Sequence, residues 1–146
     1  MNLDNICGLI KKSFPVGSII QNPGGGTTTI VGYNDKKLSY IRKNSRMYLP
    51  YQTILSVFEK FNGKRVTTKD LKKFFPKVFD SQARPAGHSC NCTTLFMVLG
   101  GIGLAGKIEG SGKKGYPFQI LIYPESPDKS PNTKVTTPSV LCKKVK

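Results

Sequence analysis

His88, Cys90 and Cys92 set three metal-capable side chains within five residues. Structural zinc takes four ligands, usually as two separated pairs with wider spacing. Cys7 or Cys142 would have to complete the set, so the expected role of these thiols is burial at a helix start. A cysteine nucleophile beside the single histidine lacks an orienting third group. The carboxylates Asp35, Glu59, Asp70, Asp80, Glu109 and Asp128 come one at a time, with no acid-x-acid-x-lysine run to hold a catalytic divalent ion. Pro23-Gly24-Gly25-Gly26-Thr27 has neither the Gly-Lys-Ser/Thr ending nor the following helix of a phosphate loop and reads as a hairpin turn. The expectation is a protein that is not an enzyme and uses no cofactor and no metal.

The chemistry the chain does supply in quantity is positive charge. Lysine and arginine number 23 against 8 aspartates and glutamates, a formal net charge of +15, well beyond the ~2–8 that solubility asks of a small domain. Such an excess calls for a polyanion. Nineteen of the cations are lysines and four are arginines, a balance suited to point contacts with phosphate more than to bidentate reading of bases. A membrane partner is not expected: the longest apolar run, 95–105, contains three glycines and is about half a spanning length. Residues 1–15 carry Asp4 and place two lysines after the apolar run, the reverse of a signal peptide. The expected location is cytoplasmic, with nucleoid association open, and the four cysteines are expected as free thiols.

Several elements must position these cations. Leu3, Ile6, Cys7 and Ile10 predict a short amphipathic helix over 1–14, bounded by Pro15. Period-two patterning predicts strands over 18–21, 27–33, 38–42 and 46–49, separated by glycine- and asparagine-rich turns. Pro50 opens a helix with Ile54, Leu55, Val57, Phe58 and Phe61 on one face, closed by Asn62-Gly63. Thr67-Thr68-Lys69-Asp70 matches a capping box and starts a second helix that ends at Phe75, before Pro76, with Leu71, Phe74, Phe75, Val78 and Phe79 as its core contacts. Ser89 or Asn91 caps a third helix running to Leu99 or Ile102. Strands over 104–108 and 118–123 then flank a basic tip at Gly112-Lys113-Lys114-Gly115. Beyond Pro124 the chain is rich in Pro, Ser, Thr and Lys and is expected to be disordered.

Three helices followed by a hairpin, the glycine-rich exit from the third helix at 95–104 and the Gly-Lys tip make 51–123 resemble a winged helix-turn-helix domain. The expected fold is therefore α+β: a small N-terminal antiparallel β-meander over 1–49, a winged helix over 50–124, and a disordered basic tail over 125–146. The resemblance implies a third helix entering the major groove by its N-terminal end. Asn91 would bond an adenine edge, Thr93 and Thr94 would touch thymine, and Ser89 and His88 would meet phosphate or base. Ser89 and Asn91 also fit as plain helix caps. Lys113 and Lys114 would ride on the wing across phosphates. Lys64, Arg65, Lys69, Lys72, Lys73 and Lys77 crowd the start and outer face of the second helix, and Arg84 lies in the connection to the third. Lys36, Lys37, Arg42, Lys43 and Arg46 give the meander a second basic surface.

Duplex DNA is the expected partner, for a regulator, a mobile-element accessory or the DNA-reading part of a restriction or defence system. RNA is the second candidate: a ribosome-associated structural protein would bind through the sheet, with Tyr40, Arg42, Tyr48 and Tyr51 available to stack on bases, although core packing suits each tyrosine better. A third reading is a basic inhibitor occupying the acidic or nucleic-acid site of another protein. A homodimer is compatible with each.

Overall fold

The computed structural model describes residues 1–83, 87–113 and 115–125. Helix α1, Leu3–Ser13, starts where the Asn2 side chain accepts the Asn5 amide and buries Ile6, Cys7 and Ile10. Four antiparallel strands follow as a meander: β1 (Ile19–Gln21), β2 (Thr27–Tyr33), β3 (Lys37–Arg42) and β4 (Ser45–Pro50), in the order β1-β2-β3-β4. Alternation places Leu38 and Tyr40 of β3, Ile30 of β2, and Met47 and Leu49 of β4 in the core.

Helix α2, Tyr51–Lys60, buries the predicted Ile54, Leu55, Val57 and Phe58, and the chain turns at Gly63 with φ 74, a conformation that glycine adopts without strain. A three-residue strand, β5 (Arg65–Thr67), comes next, which the sequence reading did not anticipate. Lys64 and Arg65 consequently sit before and within a strand rather than at a helix start. Helix α3, Thr68–Phe74, has both bonds of the capping box, Thr67 to the Asp70 amide and Asp70 to the Thr67 amide. Pro76 ends α3 and opens a further turn, α4 (Pro76–Phe79), because a proline at the first helical position gives up only an amide that would have no partner there. Of the five expected core contacts Leu71 and Phe79 are buried, while Phe74, Phe75 and Val78 are partly so.

Helix α5, Cys90–Gly101, is apolar around its circumference and buried from Asn91 to Leu99. The hairpin after it is less regular than alternation suggested. Its second strand is β6 (Gln119–Leu121), which pairs mainly with β5 through Val66↔Ile120, and its first is reduced to bridges at Ala105↔Ile122 and Glu109↔Gln119. Gly110 turns it with φ 100, where a Cβ would stand 2.1 Å from the Pro117 carbonyl oxygen. Buried residues from both sides of Pro50 form a single hydrophobic cluster, so sheet and helices share a core. Arg84, Lys114 and the expected tail beyond Glu125 lie outside the described residues. Among the described residues no helix is long and apolar enough to cross a membrane.

Candidate nucleic-acid interface

The start of α5 is the meeting point of the two halves. Tyr40, fully buried, donates its hydroxyl to Asn91 Oδ1, and Asn91 Nδ2 donates to the Val78 carbonyl at 2.9 Å. Arg42, at the end of β3, is held by hydroxyls alone: Nε donates to Thr28 Oγ1 at 3.1 Å, Nη1 to Thr93 Oγ1 at 2.9 Å and Nη2 to Thr94 Oγ1 at 2.9 Å. Burial pushes the Tyr40 phenol up to about 12, against the Thr94 hydroxyl and the Arg42 charge, which pull it down.

This packing corrects the expected docking. Asn91 and Thr94 are each 1% exposed and Thr93 is 9% exposed, so their polar atoms are engaged in the join between sheet and helix, even where Asn91 and Thr93 line cavities. The physical reason is packing from several sides: β4, α1, α3 and α4 lie against α5 and side chains of β3 bond to it, so its residues 91–99 are buried. Ser89 stands at the N-cap position in helical geometry without capping, its hydroxyl bonded to that of Ser81.

The predicted cations lie around this join. His88 is exposed, and with Lys37, Arg46, Tyr48, Lys77 and Asn91 it lines a cavity of about 310 Å³. The Lys37 ammonium sits 4.7 Å from the centre of the Tyr48 ring. A second cavity of about 660 Å³ takes in Arg42, Lys43 and Lys72, with the glycine turn at Gly24, Gly25 and Gly26, the α5 residues Cys90, Cys92 and Thr93, and Phe118. Ser89 belongs to this second cavity, so the start of α5 borders both.

Lys64, Lys69, Lys73, Lys113 and the strand residue Arg65 are exposed but line neither cavity. Arg65 pairs with Glu109 at 3.2 Å, which among the described residues is the ion pair between two side chains. The thiol of Cys92 is pushed up to about 12 by burial, with the Lys72 charge pulling it down. It points toward the Thr68 and Phe79 carbonyls. Among the described residues no three His, Cys, Asp or Glu side chains gather as a metal would need.

Sequence reasoning missed Thr28 and the pairing of Tyr40 and Arg42 with α5. The signal was present in β3, where Leu38, Tyr40 and Arg42 alternate onto one face. It did not identify the partner that face would meet. Comparisons with protein-family models, with curated proteins and with solved structures found no match.

Proposed function

We propose that the protein binds nucleic acid, duplex DNA first, by laying the basic surface around the start of α5 along the phosphates. The observation that carries this reading is the gathering of Lys37, Arg46, Lys77, Arg42, Lys43 and Lys72 along two cavities that both border the start of α5, with no carboxylate on either lining among the described residues. Such a surface keeps its potential instead of neutralising it internally. The order α2, β5, α3, α4, α5 and then an irregular hairpin, with β5 pairing with β6, supports a winged-helix relationship for the second half, whose exposed Lys113 sits near the hairpin tip. Contact then rests on phosphate more than on base edges, because the polar side chains of α5 are spent on the join.

Fluorescence anisotropy across a salt series tests the reading. If four to six of these cations meet phosphates, the log–log slope of affinity against salt is about −3.5 to −5.5. A slope near zero for duplex DNA, single-stranded DNA and structured RNA alike refutes it. One observation favours RNA as the second reading: Tyr48 is 43% exposed on the sheet beside Arg46 and Lys37, an aromatic set among cations as single-strand binders use. Loss of single-strand but not duplex affinity in Tyr48→Ala would assign the surface to that partner.

A further inference from the structure

We propose that the larger cavity is a binding site for a phosphorylated ligand of nucleotide size: a nucleoside monophosphate unit, either free or extruded from a strand. The argument begins with Arg42. A guanidinium carries five N–H donors, and hydroxyls take bonds from its three nitrogens without supplying any negative charge. Half-burying a cation with no counter-ion is costly, and an anion entering the cavity beside it would provide one. Lys43 and Lys72 line the same space, and among the described residues no Asp or Glu does.

Lys43 holds φ 62, the only non-glycine residue with positive φ among the described residues. Left-handed backbone strains a lysine, and glycine would avoid that strain. The lysine occupies this two-residue turn, and the residue lines the cavity. Ser89 and Cys90 bring the start of the twelve-residue α5 to the wall; the amides of Ser89, Asn91 and Cys92 are already bonded to the Ser81 hydroxyl and to the His88 and Ser89 carbonyls, so what the helix start adds for an anion is the field of its dipole. The volume of about 660 Å³ lies in the range of small-molecule pockets, roughly 300–1,000 Å³, and exceeds what a lone phosphate fills. Ile41, Phe118 and Cys90 supply an apolar wall for the rest of the ligand.

The site is part of the basic surface proposed above and shares Arg42, Lys43 and Lys72 with it, and the test separates the two readings. Calorimetry of the full chain with each nucleoside monophosphate, with pyrophosphate and with an uncharged nucleoside is expected to show binding of the phosphorylated probes and none of the nucleoside. Lys43→Gly relieves the strained turn, so it keeps or raises the melting temperature. It is nevertheless expected to weaken binding roughly ten- to hundredfold, the cost of one charge-assisted hydrogen bond. Lys72→Ala is the second variant, with the same expected loss.

In the strand arm, a duplex with a one-nucleotide bulge is compared with its fully paired form. A preference for the bulge that disappears in Lys43→Gly assigns the ligand to an extruded nucleotide, whereas free-nucleotide binding without that preference assigns it to a soluble one. The proposal is overturned if no phosphorylated probe binds more tightly than roughly 10 mM and the bulge is not preferred. It is equally overturned if both variants bind like the wild type. Salt-dependent duplex binding that survives this result leaves the surface reading standing, and nucleotide binding without duplex affinity does the reverse.

Discussion

Asn91→Ala distinguishes a buried structural amide from a base-reading one. Removing the side chain takes from the fully buried Tyr40 hydroxyl the oxygen it donates to and leaves it only the Thr94 hydroxyl, whereas the Val78 carbonyl keeps the His88 amide at 3.0 Å. Losing that acceptor costs about 1–3 kcal/mol, and the void left by the amide brings the total to roughly 2–4 kcal/mol. That is a large fraction of the ~5–15 kcal/mol available to a domain and lowers the melting temperature by on the order of 10 °C.

Tyr40→Phe, which strands Asn91 Oδ1 instead, costs about 1–3 kcal/mol. The double variant costs less than the two singles together by about 0.5–3 kcal/mol, because each change removes the partner the other leaves unpaired. The chain has no tryptophan, so urea unfolding is followed by far-ultraviolet circular dichroism, alongside affinity for preferred and random duplexes. An Asn91→Ala variant with the wild-type midpoint but an altered ratio of those affinities would refute the reasoning and return the side chain to a groove.

Alkaline titration gives a second expectation. The phenols of Tyr33 and Tyr40 are pushed up to about 12 from 10.0, chiefly by burial, so the fold favours their protonated forms. That stabilisation is complete below pH 10 and is lost as pH rises through 12; unfolding midpoints that do not fall over this window would contradict it. Alkylation with iodoacetamide at neutral pH, mapped by mass spectrometry, is expected to modify half-buried Cys90 and spare buried Cys7 and Cys92; rapid labelling of Cys92 would show that α5 is not packed as described. Gly110→Ala meets the Pro117 carbonyl in a backbone conformation that favours glycine and is expected to destabilise by about 2 kcal/mol or more in thermal melting. Deleting residues 1–49 uncovers α5 and is expected to abolish cooperative unfolding, whereas a soluble fragment that melts cooperatively would mean the two halves fold independently.

Elements whose signal is local were legible in the sequence. The meander is observed within one residue of its expected strand ends, and the Thr67–Asp70 capping box is present with both its bonds, because alternation and capping are written in neighbouring residues. β5 was not legible: three residues are too few for a period, and Val66 is held as strand by Ile120, more than fifty residues away. The role of α5 was misjudged for a related reason. Asn91, Thr93 and Thr94 are polar, and polarity at a helix start suggested solvent or DNA. Their partners come from β3, at a separation of about fifty residues, and nothing local records that pairing. The cations were visible as residue types, but their division between two cavities follows from how the sheet docks.

That docking bears on how the charge is used. A carboxylate opposite Arg42 would have made the join between sheet and helix through a charge-assisted pair, stronger than bonds to neutral groups. Thr28, Thr93 and Thr94 instead fix the guanidinium through all three nitrogens while leaving its charge intact. Hydroxyls therefore position the cation without neutralising it. The two planar nitrogens reach the consecutive residues Thr93 and Thr94, which ties the orientation of Arg42 to that of α5 and hence to the cavity wall. Lysine could not replace it on these terms, because a single ammonium offers no fork to span both hydroxyls. The same three bonds that close the core thus hold a positive charge at a fixed point beside the larger cavity, and the surrounding lysines add to a field that is already oriented.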